Sequence, residues 1–404
     1  MPRADDPALT AVRGLAAFWV FVYHAWLSVG PQLLVVPVPG ASIDLTPLAS
    51  AGWAGVGVFY VLSGYLLWGV FDDWASRRRD DIPLARFAKR RMLRILPPYY
   101  AQVALLAVLG AVTTWVEPPS PTTLALNLTL THGLSFDHFQ AVNNVWWTLS
   151  VEAQFYVALP LLAWIVRRFG WGTLLAGALA TMLAWRIAGF DAFREASIIH
   201  RVWILEQFPG HIDQFVVGMY ASHLVRSLED RAGRLRARVA ASLMLRYALV
   251  LVGPVALVAL AYLLHVDDFF LRYWAGHPWI YVWHLVAGVA VAISIYALAV
   301  RPGARDVPAR LAARAVVAFG VTSYSFYLWH ELLLRWLSTW VKASFGEATL
   351  HAFAVNFAIG LPLSLAVAIA WYAMFERPFL RLRGRLRARA PTERTPAGDR
   401  ARVT

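Results

Sequence analysis

The sequence contains no cysteine, which excludes disulfide bonds, thiolate metal sites and a cysteine nucleophile. Charge is also scarce, at 15% of 404 residues, with 24 acidic residues against 37 basic ones. Hydrophobic residues reach 59%, tryptophans number 19, and the mean hydropathy is +0.54. Such dense apolar runs indicate a multi-pass membrane protein. The net charge of +13 would suit nucleic acid, but the arginines lie between apolar runs, so we expect membrane lipid and no nucleic acid as partner.

Ten apolar segments are long enough to cross a bilayer, which takes about 20 residues each. They lie near residues 9–29, 51–71, 97–116, 146–166, 171–189, 203–224, 247–265, 278–300, 315–341 and 352–374. The leader, residues 1–8, is short and no clear small-residue cleavage site follows it, so we expect the first segment to be retained. The predicted fold class is all-α, a polytopic helix bundle.

Basic residues cluster in alternate loops of this pattern. The clusters are Arg3 with Arg13, Arg77 to Arg94, Arg167 with Arg168, Arg226 to Arg246, Arg301 to Arg314, and Arg377 to Arg402. The loops 30–50 and 117–145 contain no lysine or arginine. Ten spans with both termini in the cytoplasm place every cluster inside. We predict a membrane domain over residues 1–378 and a basic tail over 379–404, disordered beyond about residue 390.

Four ionisable side chains, His24, Glu152, Asp213 and His330, fall inside the predicted segments. Counted from the basic edges at 1.5 Å per residue, they lie at similar depths, about 16 to 24 Å above those edges. Because isolated charges are costly in a bilayer, we expect them to pair around a functional cavity. Arg13 precedes His24 by eleven residues, about three turns, so both side chains share one helix face.

Arg91 and Arg94 are i,i+3 neighbours at the predicted cytoplasmic edge. One guanidinium group can donate two parallel hydrogen bonds to phosphate oxygens, so these arginines favour an anionic ligand here. The alternative is that these arginines only fix the topology. Gly64 and Pro97 are expected to end or bend helices.

Six motifs occur in one order along the chain. They are Val12-Arg13-Gly14-Leu15 through Tyr23-His24, the stretch from Gly55 to Tyr65, Lys89 to Pro97, Trp147 to Tyr156, Ser323 to His330, and Glu376-Arg377-Pro378. With them the chain resembles the integral-membrane acyltransferase 3 family, bacterial O-acyltransferases that modify sugars and related hydroxyl compounds from acyl-CoA. Two positions depart from the family pattern: Thr10-Ala11 stands where relatives often have Asp-Gly, and Thr148 where they have serine.

The resemblance implies roles for individual positions. Arg13 and His24 match the family's Arg-x10-His pair, with His24 as the catalytic histidine. Arg91 and Arg94 match its Arg-x-x-Arg motif and would bind the acyl donor together with Arg13. Thr148 and Glu152 match its Ser-x3-Glu motif, with Glu152 as a second catalytic residue. Supporting positions are expected at Thr148, Tyr156, Asp213, Ser323, Tyr324 and His330.

Acyl transfer to a hydroxyl needs a base, and a neutral imidazole suits that task. Glu152 could orient the ring of His24, or His24 could carry the acyl group covalently. The expected donor is acyl-CoA, by family frequency acetyl-CoA, with its phosphates near Arg91 and Arg94. The expected acceptor is an envelope polysaccharide or lipid-linked sugar, with a secreted natural product such as a glycosylated macrolide as the alternative. The expected location is the bacterial cytoplasmic membrane.

Two other classes also place ionisable groups in a membrane. A proton-coupled transporter would use them as a relay, but we find no pair of inverted repeats. A haem electron carrier would use His24 and His330 as axial ligands. Neither class explains the ordered motifs. His132 and His138 lie in a predicted outer loop without a ligand-spaced set, so no metal is expected.

Overall fold

The structure is a computed structural model that describes residues 6–31, 33–114, 116–227, 230–266, 278–300 and 312–388. Within these ranges the helices are α1 Pro7–Ser28, α2 Thr46–Ser50, α3 Gly55–Ala75, α4 Leu84–Val112, α5 Pro121–Leu128, α6 Trp147–Ala192, α7 Ile198–Leu205, α8 Ile212–Arg226, α9 Asp230–Ala241, α10 Leu243–Val266, α11 Trp283–Ala299, α12 Ala312–Phe345, α13 Leu350–Trp371 and α14 Arg377–Ala388. Short 3-10 turns connect several of them, and a π-helical turn over Tyr372–Glu376 joins α13 to α14.

Local sequence explains where helices begin. The Asp6 carboxylate accepts the backbone N–H of Ala8 at 2.9 Å, and Pro7 occupies the first helical position, where a missing N–H has no consequence. Ser120 and Pro121 form the same pair at the start of α5. The two prolines of α4, Pro97 and Pro98, lie inside the helix and do not end it.

Six helical stretches in the described part are long and apolar enough to cross a membrane: Pro7–Ser28, Thr46–Ala75, Leu84–Val112, Trp147–Ala192, Leu243–Leu264 and Leu350–Leu382. The 46 residues of α6 measure about 69 Å at 1.5 Å per residue, twice the hydrocarbon core. Gly170, with φ of 87°, breaks the helix between the predicted segments 146–166 and 171–189.

Three other predicted segments fall on shorter or more polar helices. The segment 203–224 is not one helix, because α7 ends at Leu205 and a 3-10 turn containing Pro209 and Gly210 separates it from α8. The segment 278–300 is a 3-10 turn followed by the 17 residues of α11. The segment 315–341 lies in α12. Its serines, His330 and Glu331 are polar and lower the mean hydropathy of this helix, and most of them are buried.

The all-α prediction has one exception in the described residues. A two-stranded antiparallel hairpin, Val35–Val38 with Ala41–Asp44, occupies the predicted loop 30–50, and Gly40 supplies a positive φ of 79° at its turn. Arg377 opens α14, which is described to Ala388, whereas the predicted disorder beyond residue 390 lies outside the described residues, as does most of the basic cluster 301–314.

Glycines bring α3 and α8 into backbone contact. A Cβ at Gly218 would overlap the carbonyl oxygen of Val61, and a Cβ at Gly64 would overlap that of Phe215. Gly64 therefore lies within α3 and does not end it. This contact fixes the position of α3, which carries one wall of the cavity described below.

We expect Gly218→Ala to lower the stability by about 1–3 kcal/mol, because two helix backbones must separate to admit the methyl group. Thermal unfolding of the purified protein in detergent, followed by tryptophan fluorescence, measures the effect. Gly177→Ala on α6 is the control: no atom lies within 4 Å of its added Cβ, and alanine favours a helix over glycine. Equal unfolding temperatures for Gly218→Ala and the wild type would contradict the interpretation of this contact.

Candidate active site

A cavity lies between α1, α3, α4, α6 and α12. Its lining residues are Arg13, Val56, Phe59, Tyr60, Leu62, Ser63, Leu66, Arg91, Arg94, Ile95, Thr148, Leu149, Glu152, Tyr156, Ser323, Tyr324 and Tyr327. Eight of the eleven predicted site residues are among them. The five contributing helices are spread over residues 7–345, so the cavity exists only in the folded bundle.

Glu152 is the one carboxylate among the lining residues. Ser63 donates its hydroxyl hydrogen to Oε1 at 2.5 Å, and Tyr156 donates to Oε2 at 2.8 Å. The two hydroxyls come from different helices and fix the carboxylate plane, while each oxygen keeps a second acceptor position. Sequence reasoning did not assign Ser63 a role, although a serine within the apolar run of α3 was a signal for one.

Three guanidinium groups, those of Arg13, Arg91 and Arg94, line the same cavity. The Arg91 guanidinium carbon lies 5.9 Å from the ring centroid of Tyr156, and its Nε is buried without a hydrogen-bond partner. Three positive groups against one carboxylate leave this cavity with excess positive charge. Because buried cations need compensation, the arrangement suits an anionic ligand with several acceptor oxygens.

Tyrosines from α12 close the cavity wall. The hydroxyls of Tyr327 and Thr148 lie 2.9 Å apart, and both are within 3.3 Å of the carbonyl oxygen of Val145. Tyr324 donates to the carbonyl oxygen of Ile95 at 3.1 Å and so joins α12 to α4. The hydroxyl of Ser323 bonds within its own helix, to the Gly320 carbonyl at 2.8 Å.

His24 and His330 form a pair across α1 and α12. Nε2 of His330 lies 3.1 Å from Nδ1 of His24, and the ring centroids are 5.0 Å apart. Nδ1 of His330 lies 2.9 Å from the carbonyl oxygen of Tyr327 and 3.2 Å from that of Phe326. Nδ1 of His24 lies 3.0 Å from the carbonyl oxygen of Val20.

These contacts assign the tautomers of both rings. A nitrogen that faces carbonyl oxygens must carry hydrogen, so each Nδ1 is the donor and each Nε2 of a neutral ring holds the lone pair. His330 therefore accepts from His24 through Nε2. In the described residues no protein group bonds to Nε2 of His24, which is left as a basic nitrogen on a half-buried ring.

The predicted cluster of four ionisable groups separates into three places. Glu152 does not hold the imidazole of His24 by a hydrogen bond, because its oxygens accept from the two hydroxyls described above and His330 holds the ring instead. Neither histidine lines the cavity; Tyr327 lies between, with its ring centroid 5.5 Å from that of His330. Similar predicted depths in the membrane did not place these side chains in contact, because the rotation of each helix about its own axis decides which neighbour a side chain meets.

Asp213 lies apart from both places. It is 2% exposed, and no side chain among the described residues donates a hydrogen bond to its carboxylate oxygens. It interacts electrostatically with His211 and Arg186, in a buried polar group that also contains Glu206 and His284. Sequence reasoning named Asp213 but missed the other members of this group, although each of them interrupts or borders an apolar run.

Comparison with known proteins agrees with this architecture. The model of a family described as an acyltransferase domain matches residues 6–373. The chain is 26% identical to the acyltransferase MdmB of Streptomyces mycarofaciens over 98% of its own length and 96% of the relative. It is 28% identical to the exopolysaccharide production protein ExoZ of Rhizobium meliloti, over 83% and 92% respectively.

A third relative matches over a shorter part of the chain. The chain is 24% identical to the peptidoglycan O-acetyltransferase OatA of Listeria monocytogenes, over 39% of this chain and 24% of the relative. No solved structure gives a significant match. The family match covers nearly the whole chain, and the apolar helices and ordered motifs fit it. This protein belongs to the acyltransferase 3 family of membrane acyltransferases.

Proposed function

We propose that this protein transfers an acyl group, acetyl in the first instance, from acyl-CoA to a hydroxyl group of a sugar-containing acceptor. The observation that carries the proposal is the pair of histidines, which leaves Nε2 of His24 unprotonated and, among the described residues, without a protein partner. General-base catalysis by histidine uses an imidazole in which a neighbouring group holds one ring nitrogen and the other ring nitrogen can accept a proton.

In the proposed reaction, Nε2 of His24 takes the proton of the acceptor hydroxyl as its oxygen attacks the thioester carbonyl carbon. The carbon–sulfur bond then breaks, the acyl group stays on the acceptor oxygen, and the CoA sulfur leaves as a thiol with the proton from the imidazolium. His330 stabilises the imidazolium through the hydrogen bond at Nδ1. A covalent acyl-imidazole would use the same nitrogen.

The cavity is the proposed donor site. Arg91, Arg94 and Arg13 would bind the CoA phosphates, and the excess positive charge of the lining supports this assignment. Glu152 keeps an acceptor position on each oxygen, which suits it to receive a hydrogen from donor or acceptor. Because Tyr327 separates the cavity from the histidine pair, the acyl group must pass this side chain to reach His24.

The proposed topology has ten spans with both termini in the cytoplasm of a bacterium. It is supported by the six long apolar helical stretches, which contain seven of the ten predicted segments, and by the alternation of basic loops. On this topology the three cavity arginines lie near the inner face, where acyl-CoA is made. The residues to 378 would form the membrane domain, and residues 379–404 a basic cytoplasmic tail.

Two acceptor classes remain in the proposal. Envelope polysaccharide or lipid-linked glycan is the first, supported by similarity to an exopolysaccharide production protein and a peptidoglycan O-acetyltransferase. A secreted natural product such as a macrolide is the second, supported by the match to MdmB over nearly the whole chain.

Isotopically labelled acetyl-CoA supplied to inside-out membrane vesicles tests the donor and the orientation together. Label should enter an envelope glycan or an added macrolide from inside-out vesicles, but not from sealed right-side-out ones. Mass spectrometry of glycans and secreted metabolites from a deletion strain then identifies the acceptor by its lost acyl increment. Equal incorporation of label by vesicles that contain the protein and by vesicles that lack it would contradict the proposal.

We expect His330→Ala to lower kcat by about 10²-fold while leaving the KM for acyl-CoA unchanged, because the ring of His24 loses its orienting partner. His330→Gln should recover part of the rate, since the side-chain amide oxygen can accept the hydrogen of Nδ1. Steady-state kinetics of both variants in proteoliposomes measure kcat and the KM for acyl-CoA separately. A rise in KM with an unchanged kcat, or equal rates for both variants, would assign His330 to packing alone.

A further inference from the structure

A second group of buried titratable side chains lies beyond the cavity wall. Glu206 follows the last residue of α7, His211 ends the 3-10 turn before α8, and His284 is the second residue of α11. Nε2 of His211 lies 2.8 Å from Oε2 of Glu206, and Nε2 of His284 lies 3.6 Å from Oε1. The three possible ligand atoms all lie within 4.8 Å of one another, and all three residues are buried.

We propose that Glu206, His211 and His284 bind one divalent transition-metal ion, with Zn²⁺ as the first choice. Two imidazole nitrogens and one carboxylate oxygen are a set that zinc uses, leaving a fourth position for water or another oxygen. Ligand atoms about 2.0–2.1 Å from a tetrahedral ion lie about 3.3 Å apart. Here one ligand atom from each residue lies within 4.8 Å of the others, and Nε2 of His211 is 2.8 Å from Oε2 of Glu206. Small rotations of buried rings would complete the geometry.

The charge balance gives an independent reason for a cation. Asp213 is 2% exposed, no side chain in the described part of the chain donates a hydrogen bond to either of its oxygens, and it interacts electrostatically with His211 and Arg186. With neutral histidines, two carboxylates face the single guanidinium of Arg186. A buried carboxylate without compensation is costly, and a bound cation supplies what the described side chains lack.

Arg186 supports the site without occupying it. Its Nε donates to the carbonyl oxygen of Gly210 at 3.1 Å, and Nη1 donates to that of Ile280 at 2.8 Å. Nη2 lies 3.7 Å from Oε1 of Glu206, so the arginine forms an ion pair with this carboxylate while its other nitrogens connect the turns before α8 and α11. Such partners around the ligands orient metal sites in general.

The site is connected to the cavity through one aromatic ring. Tyr60 lines the cavity, and its ring centroid lies 4.9 Å from that of His211. An ion held by the turn before α8 and by the start of α11 would fix this wall. Its proposed role is therefore structural, and it is separate from the arginines and from the histidine pair.

The test uses the full chain, purified in detergent with a tag that contains no histidine. After incubation with zinc chloride and desalting, zinc per chain is measured by inductively coupled plasma mass spectrometry. We expect about one zinc per wild-type chain. Glu206→Gln and His211→Asn should lose most of it, whereas the control His200→Asn, which changes a histidine of α7 outside the group, should keep it.

A second measurement on the wild type does not depend on how the variants fold. Co²⁺ added to chelator-treated protein should give the intense visible spectrum of a tetrahedral site, and Zn²⁺ should abolish it and raise the unfolding temperature. Wild-type protein without zinc and without this spectrum, or equal zinc in Glu206→Gln and the wild type, overturns the proposal and leaves a polar network only. Because no readout involves acyl transfer, the result is independent of the proposed function.

Discussion

His24→Ala is expected to lower the rate of acyl transfer by about 10²–10⁴-fold, the range that a positioned general base contributes. The basic Nε2 would be lost, and no other group pairs with His330 at this position in the described residues. Expression and affinity for acyl-CoA should persist, because the cavity with the three arginines does not include His24. The measurement is transfer of labelled acetyl groups in proteoliposomes, with donor binding determined separately.

A matched substitution separates this effect from general damage. His351→Ala removes an exposed histidine near the start of α13, on the helix after the one that carries His330, and should leave the rate unchanged. His24→Gln retains a side chain of similar size without a basic nitrogen, and should be nearly as inactive as the alanine variant. Substantial turnover by either His24 variant would exclude this side chain as base and as acyl carrier.

Arg91→Ala is expected to weaken acyl-CoA binding by about 10- to 100-fold, since hydrogen bonds to charged groups contribute about 1.5–3 kcal/mol. Its Nε is buried without a hydrogen-bond partner, and a phosphate oxygen would supply one. Binding is measured by calorimetry with acyl-CoA and repeated at several salt concentrations. The variant should also show a weaker salt dependence, because one ionic contact is absent.

Two further variants define what the arginine contributes. Arg91→Lys keeps the charge but not the planar fork, so its affinity should fall between those of the wild type and Arg91→Ala. Arg168→Ala removes an exposed arginine from another basic loop and should leave the affinity unchanged. If Arg91→Ala binds acyl-CoA as tightly as Arg168→Ala does, the cavity arginines serve topology and not the donor.

Much of this arrangement could be predicted from patterns within single helices. The i,i+3 spacing placed Arg91 and Arg94 on one face of α4, and both line the cavity. The i,i+4 spacing of Glu152 and Tyr156 likewise produced a hydrogen bond of 2.8 Å. Such spacings follow from the 3.6-residue turn, which is the same wherever the helix packs.

Contacts between helices were less predictable. Ser63 and Glu152 are 89 residues apart, and His24 and His330 are 306 residues apart. Depth along the membrane placed His24, Glu152 and Asp213 at one level, but their helices are rotated so that each has different neighbours. The zinc-ligand candidates follow no recognised ligand spacing in the sequence. Glu206 follows α7, His211 lies in the turn before α8, and His284 lies at the start of α11, so only the fold brings them together.

The sequence by itself determined that this protein is a helical membrane acyltransferase, since apolar length, basic loops and ordered motifs are properties of the chain read in one dimension. It also determined which residues share a helix face. Only the tertiary structure decided that His330 holds His24, that Ser63 and Tyr156 hold Glu152, and that Tyr327 stands between the cavity and the histidines. The reason is that helix rotation and separation are set by side-chain packing, as at the glycine contact of α3 and α8, and no periodicity encodes them.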